Sequence, residues 1–181
     1  MTAISNRLTR ALNIRHPVIS GQMHLAAGGV LAAAVSRAGG LGLVGGGFGD
    51  STGLDEQFEV VAAEPVGVGF ITWSLRKSPS LLTDVLKRHP ATVMFSFGGD
   101  PRPLVDEIRK ASALVICQCQ NTDHVWDAID IGADRRAVVT NEIVGTAKLF
   151  LDGPRTKALE WQSKASAGLL RTYGSNARRK T

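Results

Sequence analysis

Cysteine is scarce in this sequence, with two among 181 residues. Cys117 and Cys119 stand two apart in an apolar run, so in a strand they share a face and cannot form an ordinary disulfide. Two cysteines without histidines at ligand spacing also make a poor zinc site. We therefore predict no metal centre and two small buried side chains, a usage that fits a reducing compartment.

Long apolar runs are also missing. No stretch reaches the length of a membrane-spanning helix, and residues 1–15 lack the apolar core of a signal peptide. We therefore expect a soluble cytoplasmic protein with no membrane partner. Three arginines and no acidic residue in residues 1–15 leave a mitochondrial leader as the alternative.

The excess of positive charge is confined to one end. Residues 1–154 contain 14 Lys and Arg against 15 Asp and Glu, whereas residues 155–181 contain seven against Glu160 alone. This basic end has no repeated basic–aromatic spacing, so we expect a solvated end and no nucleic-acid partner.

Short apolar runs alternate five times with patterns typical of helices. The predicted strands are 17–20, 41–44, 65–71, 92–95 and 113–118. The predicted helices are 29–38, 54–63, 80–88, 101–110 and 122–131. This alternation indicates a parallel sheet covered by helices, either an open doubly wound sheet or a (β/α)₈ barrel.

Glycine recurs at four of the five predicted strand ends, including Gly45-Gly46-Gly47 and Gly69. In both architectures ligands bind at the carboxyl ends of the strands. Glycine allows a flat or phosphorylated ligand to approach the backbone, although βα turns also use it for their own geometry. The triple glycine is not a Walker loop, because no Gly-Lys-Ser/Thr follows it.

One family shares several of these segments in order. Residues 17–47, PVISGQMHLAAGGVLAAAVSRAGGLGLVGGG, resemble the opening of the nitronate monooxygenases, formerly called 2-nitropropane dioxygenases. The later segments PVGVGFITW, VMFSFG and VICQCQ follow in the family's order, and the resemblance spans roughly residues 7–134. It implies an FMN-dependent TIM barrel related to the flavin-dependent enoyl-acyl-carrier-protein reductases.

The resemblance also implies four flavin contacts, at Gln22, Met23, Gly69 and Gln118. Gly21-Gln22 stands where a proline often precedes the family's methionine, here Met23. A buried glutamine can both donate and accept, which suits the mixed edge of a flavin ring. His24 follows on the flavin side, where we expect an exposed loop histidine, and His124 is expected at the surface.

Two parts of the family pattern are absent from the sequence. The family's catalytic histidine lies in a Gly-Gly-His segment after the sixth strand, and the four histidines here are elsewhere, so we assign no catalytic residue. TIM barrels bind phosphate with loops after strands 7 and 8, which are also missing. The strand–helix rhythm is expected to fail after Asp134, as in a truncated or internally deleted chain, although the short apolar run 137–140 could form a strand.

The predicted fold is therefore α/β, a partial TIM barrel of about five βα units. Residues 1–134 form a partial flavin-binding barrel domain, and residues 135–181 form an irregular basic tail. A five-stranded fragment has two open edges and an uncovered inner face, so self-association through the edges is expected.

Three functions remain open from the sequence. The first is an FMN-dependent oxidoreductase that oxidises alkyl nitronates with O₂. The second is a flavin-dependent enoyl reductase, and the third is a non-catalytic barrel remnant that associates with itself.

Because the phosphate-binding half is absent, we expect the purified chain to carry little or no FMN. The absorbance of the purified protein between 350 and 500 nm, about the range of oxidised flavin, measures this directly. Flavin at about one per chain would contradict the prediction.

Overall fold

A computed structural model of the chain describes residues 3–24, 26–47, 51–78, 80–96, 99–119, 122–138 and 148–150. Its strands are β1 Gly42–Gly45, β2 Val66–Ile71, β3 Thr92–Ser96, β4 Leu114–Cys119, β5 Arg135–Val138 and β6 Lys148–Phe150. Its helices are α1 Arg7–Leu12, α2 Gly29–Arg37, α3 Ser51–Val61, α4 Ser80–Leu86, α5 Arg102–Lys110 and α6 Thr122–Asp130, and a 3₁₀ helix covers Thr72–Arg76.

The strands pair in chain order. Each of β1 to β5 is parallel to the next, and β6 is antiparallel to β5. A doubly wound sheet reverses its strand order at a switch point, and the described strands show no such reversal. Sequential parallel strands joined by helices are the arrangement of a (β/α) barrel, so the predicted partial barrel is confirmed.

The main core lies between the sheet and its helices. Side chains that alternate along the strands, such as Val68, Phe70, Val93 and Val115, are fully buried on this face. The helices contribute the buried side chains Leu54, Phe58, Leu81, Leu82, Val85, Val105 and Ile108. Burying these apolar surfaces supplies the main driving force for folding.

The opposite face, which lines the inside of a barrel, is covered rather than bare. Leu41, Leu43, Met94 and Ile116 are buried there, and Leu12, Ile14 and Ile19 pack against them. The prediction of an uncovered inner face is wrong because the amino-terminal segment folds across it.

Helix α1, which the sequence analysis does not predict, begins this covering segment. Its first turn is closed by a reciprocal cap, in which Asn6 Oδ1 accepts from the Thr9 N–H at 2.9 Å and Thr9 Oγ1 accepts from the Asn6 N–H at 2.9 Å. A helix of six residues is too short for a hydrophobic period to reveal it.

The first predicted strand, 17–20, is reduced to a single parallel bridge between Ile19 and Leu41. The Leu41 N–H donates to the Val18 carbonyl at 2.9 Å, and the Ser20 N–H donates to the Leu41 carbonyl at 3.0 Å. The next donor, the Leu43 N–H, binds the Ser20 hydroxyl at 2.7 Å instead of a backbone carbonyl. Because this side-chain oxygen takes the place of a backbone carbonyl, the strand pairing ends after one bridge.

The sheet continues past Asp134, where the rhythm was expected to fail, and its next strand begins two residues before the possible short strand at 137–140. Strand β5 begins at Arg135 and pairs with β4 from Ile116 onward. The Asp134 carboxylate accepts from the Val115 N–H at 2.8 Å and so joins the start of β5 to β4. Strand pairing uses backbone groups, so two arginines do not prevent it. Residues 139–147 and 151–181 lie outside the described residues, and the tail predicted there stays a prediction.

Several α-helices are followed closely by a residue in the left-handed conformation. Gly39 and Gly132 serve in this way after α2 and α6, with φ of 99° and 69°. Ala62, His89 and Ser112 adopt φ of 56°, 52° and 61° after α3, α4 and α5, although they carry a Cβ. This conformation is costly for residues other than glycine.

We expect Ala62→Gly to raise the free energy of unfolding by about 0.5–1 kcal/mol, because Ala62 is exposed and glycine removes the cost of its positive φ. Urea denaturation measures the change. Ala63→Gly is the matched control, since Ala63 does not have positive φ, and it should lower stability. Equal effects of the two changes would contradict the explanation.

Candidate functional site

The carboxyl ends of β1 to β4 and the described residues that follow them form one rim of the sheet, here called the carboxyl-end rim. The loop of residues 21–27, of which residue 25 lies outside the described residues, reaches this rim, because the Gly45 N–H donates to the Ala27 carbonyl at 2.8 Å. The loop is itself a tight turn, in which the Met23 carbonyl accepts from the Ala27 N–H at 2.6 Å. The residues after the first bridge are therefore held over the ends of β1 and β2.

Gln22 and Gly69, both predicted from the resemblance, are in direct contact. A Cβ at Gly69 would overlap the Gln22 side-chain amide, so only glycine leaves room for it. The Gln22 Oε1 and Nε2 atoms are buried, and neither has a hydrogen-bond partner in the part of the chain that the structure describes. A buried amide without partners is costly, and such groups are rare in folded proteins.

The space beside the triple glycine is occupied by other residues of the chain, namely Met23, His24 and Phe70. A Cβ at Gly45 would lie 3.0 Å from the His24 Cα, and one at Gly46 would overlap the Phe70 ring. Gly47 has φ of 56°, and a Cβ there would overlap the His24 imidazole. These glycines are explained by packing of the loop of residues 21–27 and of Phe70, a reading that the glycine pattern alone left open.

The other two predicted contacts lie farther along the rim. The Met23 side chain is 59% exposed, beside the buried Gln22 amide. Gln118 is half-buried near the end of β4, and β3 separates it from Gly69 on β2. Two strand spacings put the Gln118 and Gly69 backbones on the order of 10 Å apart. The four residues therefore share the rim, and Gln22 and Gly69 are in direct contact there.

Buried serine hydroxyl groups, at positions not among the predicted site residues, connect the loops of the rim. The Ser74 hydroxyl lies 2.7 Å from the Ile71 carbonyl and 3.3 Å from the Gly47 carbonyl, so it connects the ends of β1 and β2. The Ser96 hydroxyl donates to the Phe70 carbonyl at 3.4 Å. The signal that could have found them is a serine at or just after the end of an apolar strand.

A cavity of about 240 Å³ opens at the ends of β3 and β4, beside the first turn of α5 and along the length of α6. Arg102 stands at its mouth between two carboxylates, 3.0 Å from Asp127 and 3.6 Å from Asp100. Ser96 and Gln118 also line it. Its volume is below the roughly 300–1,000 Å³ of ordinary ligand pockets.

Both cysteines line this cavity as buried, unlinked side chains, as predicted. The Cys119 thiol donates to the His124 carbonyl at 3.3 Å. His124, which was expected at the surface, is half-buried and lines the cavity. Among the described residues no group of three or more His, Cys, Asp or Glu is placed to hold a metal ion.

Comparison with known proteins connects this geometry to solved structures. No family model matches the sequence, and no curated protein matches it. FabK from Thermotoga maritima matches at 29% identity over 76% of this chain and 44% of that chain, with a TM-score of 0.65. A point mutant of the same FabK matches at 28% identity over 76% of this chain and 46% of that chain, with a TM-score of 0.67.

Nitroalkane oxidase from Streptomyces ansochromogenes matches at 21% identity over 74% of this chain and 47% of that chain, with a TM-score of 0.60, which shows the fold. These neighbours are flavin-dependent oxidoreductases with TIM-barrel folds, and they match the family that the sequence resembles. The chain spans less than half the length of each. No helix among the described residues is long and apolar enough to cross a membrane.

The contact between Gln22 and Gly69 predicts a specific double-variant result. Gly69→Ala should lower the free energy of unfolding by about 1–3 kcal/mol, because the new methyl group overlaps the Gln22 amide. Adding Gln22→Ala should recover most of that loss, measured by urea denaturation. Gly21→Ala is the control, since a Cβ there meets nothing closer than the Met23 side chain at 4.0 Å. Additive losses in the double variant would contradict the contact.

Proposed function

We propose that residues 17–138 form the ring-binding side of an FMN-dependent oxidoreductase of the nitronate monooxygenase type. The observation that supports this most is the unpartnered Gln22 amide beside Gly69, at the end of the sheet where barrels bind their ligands. The likeness to flavin-dependent oxidoreductases supports the same cofactor class.

The rim offers hydrogen-bonding groups that complement one edge of a flavin ring. The pyrimidine end of the ring presents carbonyl acceptors next to an imide N–H donor. Gln22 offers an acceptor and two donors that the described residues leave unused. The triple glycine does not contribute an open cradle, because the chain itself occupies that space.

The chain's own residues would position the ring. Gln22 would bind its edge, while Ser74 and Ser96 hold the loops around it at fixed geometry. Gln118 stands across β3 as a second amide on the same rim. A bound flavin supplies the two-electron redox chemistry. The sequence has no Gly-Gly-His segment, so we assign none of its histidines as a base.

The proposed substrates are an alkyl nitronate and O₂. A flavin-dependent enoyl reductase is the second candidate, favoured by the higher identity to FabK, 29% against 21% for nitroalkane oxidase. A remnant that associates with itself through its sheet edges is the third. These three differ in whether flavin binds and in what oxidises or reduces it.

Titration of FMN with the chain, followed by flavin fluorescence, tests the cofactor. We expect weak but saturable quenching, too weak for flavin to remain bound through purification, and similar for riboflavin and FMN, because these residues include no phosphate loops of the kind barrels place after strands 7 and 8. Ethyl nitronate-dependent O₂ uptake would support the first candidate, and enoyl-thioester-dependent NAD(P)H oxidation would support the second. Unchanged fluorescence together with oligomers on size exclusion would favour the remnant and contradict flavin binding.

A further inference from the structure

We propose that Cys117, reached through the cavity beside α5 and α6, is a modification site for small uncharged carbon electrophiles such as α,β-unsaturated carbonyl compounds. Cys117 and Cys119 both line this cavity of about 240 Å³ as unlinked thiols. The proposed flavin chemistry uses neither thiol, so this inference does not depend on flavin binding.

The two thiols lie on the helix-covered side of β4. Cys117 and Cys119 belong with Phe95 to the core between the sheet and its helices, whereas Ile116 belongs to the cluster on the inner face. Side chains along a strand alternate between its two faces, so both thiols point toward the helix layer. A reagent therefore reaches them from the helix side of the sheet and not from the inside of the barrel.

The fold holds the two thiols differently. Cys119 is 1% exposed, and its S–H lies 3.3 Å from the His124 carbonyl and 3.6 Å from the Cys117 carbonyl. A reaction at Cys119 has to give up the bond to a buried carbonyl, which is costly because no water replaces it there. Cys117 is 6% exposed, so it is the more open of the two to a reagent in the cavity.

The cavity limits the size and charge of the reagent. Its volume is below that of ordinary ligand pockets, which favours molecules with few heavy atoms. Phe95 and Ile131 give it apolar walls. Among the described lining residues, Asp100 and Asp127 together outweigh the charge of Arg102, so an anionic reagent is repelled. These features together favour a small uncharged electrophile.

The covalent step is an addition and needs no oxidant or reductant. The Cys117 thiol first loses its proton to water, because the thiolate is the nucleophile. Its sulfur then forms a bond to the β-carbon of the electrophile while the carbon–carbon π bond breaks. A proton from water returns to the α-carbon, so the product is a thioether and no group leaves.

An ion pair between α5 and α6 stands at the mouth of the cavity. Arg102 Nη2 lies 3.0 Å from Asp127 Oδ1, and both side chains are more than half exposed. Exposed ion pairs contribute little to stability, so this pair breaks and re-forms readily. We expect it to slow the entry of a reagent without blocking it.

Acrylamide is the probe, and mass spectrometry follows its addition to the native chain. We expect the first adduct at Cys117, located by peptide fragmentation, with Cys117→Ala removing it and Cys119→Ala keeping it. Its rate should stay constant in urea well below the unfolding transition, because the reagent enters the folded chain. A thiol exposed only by unfolding would instead react faster with urea, following the slope of equilibrium unfolding. That slope, a first adduct at Cys119, or no adduct overturns the proposal.

Two variants break the ion pair and change the charge of the mouth in opposite directions. Arg102→Met leaves two carboxylates, whereas Asp127→Asn leaves Asp100 against Arg102. Both should speed acrylamide addition at Cys117 by about threefold. Iodoacetate and iodoacetamide are nearly equal in size and differ in charge. Their rate ratio at Cys117 should fall about threefold in Arg102→Met and rise about threefold in Asp127→Asn.

Arg88→Met is the matched control. Arg88 also pairs with two carboxylates, those of Asp55 and Glu59, but it does not line the cavity. The change removes the same charge as Arg102→Met and should leave the acrylamide rate and the ratio of the two iodo reagents as in wild type. Equal effects of Arg88→Met and Arg102→Met, or no effect of Arg102→Met, would overturn entry through this cavity.

Discussion

The parallel pairing of β1 to β5 in chain order is the constraint on which the rest of this structure depends. Parallel neighbours need a crossover, and helices α3 to α6 supply it and bury one face of the sheet. The same pairing brings every carboxyl end to one rim. Residues from distant parts of the sequence, such as Gln22 and Gly69, meet there because neighbouring strands end side by side.

On this rim, strand-end glycines and a buried polar side chain differ as indications of a ligand-binding site. The glycines at the strand ends leave space, but the chain fills that space with the loop of residues 21–27 and the Phe70 ring. An unsatisfied buried amide is different, because burial without a hydrogen bond has a cost that packing does not repay. Gln22 is therefore a stronger indication of a ligand than the glycines around it. In the sequence, by contrast, the triple glycine is the more conspicuous feature.

The solved structures narrow the class of chemistry without selecting the reaction. FabK and nitroalkane oxidase share this fold, and each is more than twice as long as the part matched here. The described rim contains groups that suit a flavin ring, yet the substrate of a barrel enzyme is selected by all its loops.

The sequence by itself determined the alternation of strands and helices, four of the five predicted strands within a residue or two, and the buried cysteines. These features are local, because apolar periodicity and turn residues act over a few positions. Only the tertiary structure decided that 17–20 forms a single bridge, that α1 covers the inner face and that β5 continues the sheet at Arg135. Each of these depends on a long-range partner, namely the Ser20 hydroxyl on the Leu43 N–H, Leu12 on the inner cluster and Asp134 on the Val115 N–H. The sequence named Gln22 through a resemblance, but its missing hydrogen bonds are a property of the folded environment, which no local pattern records.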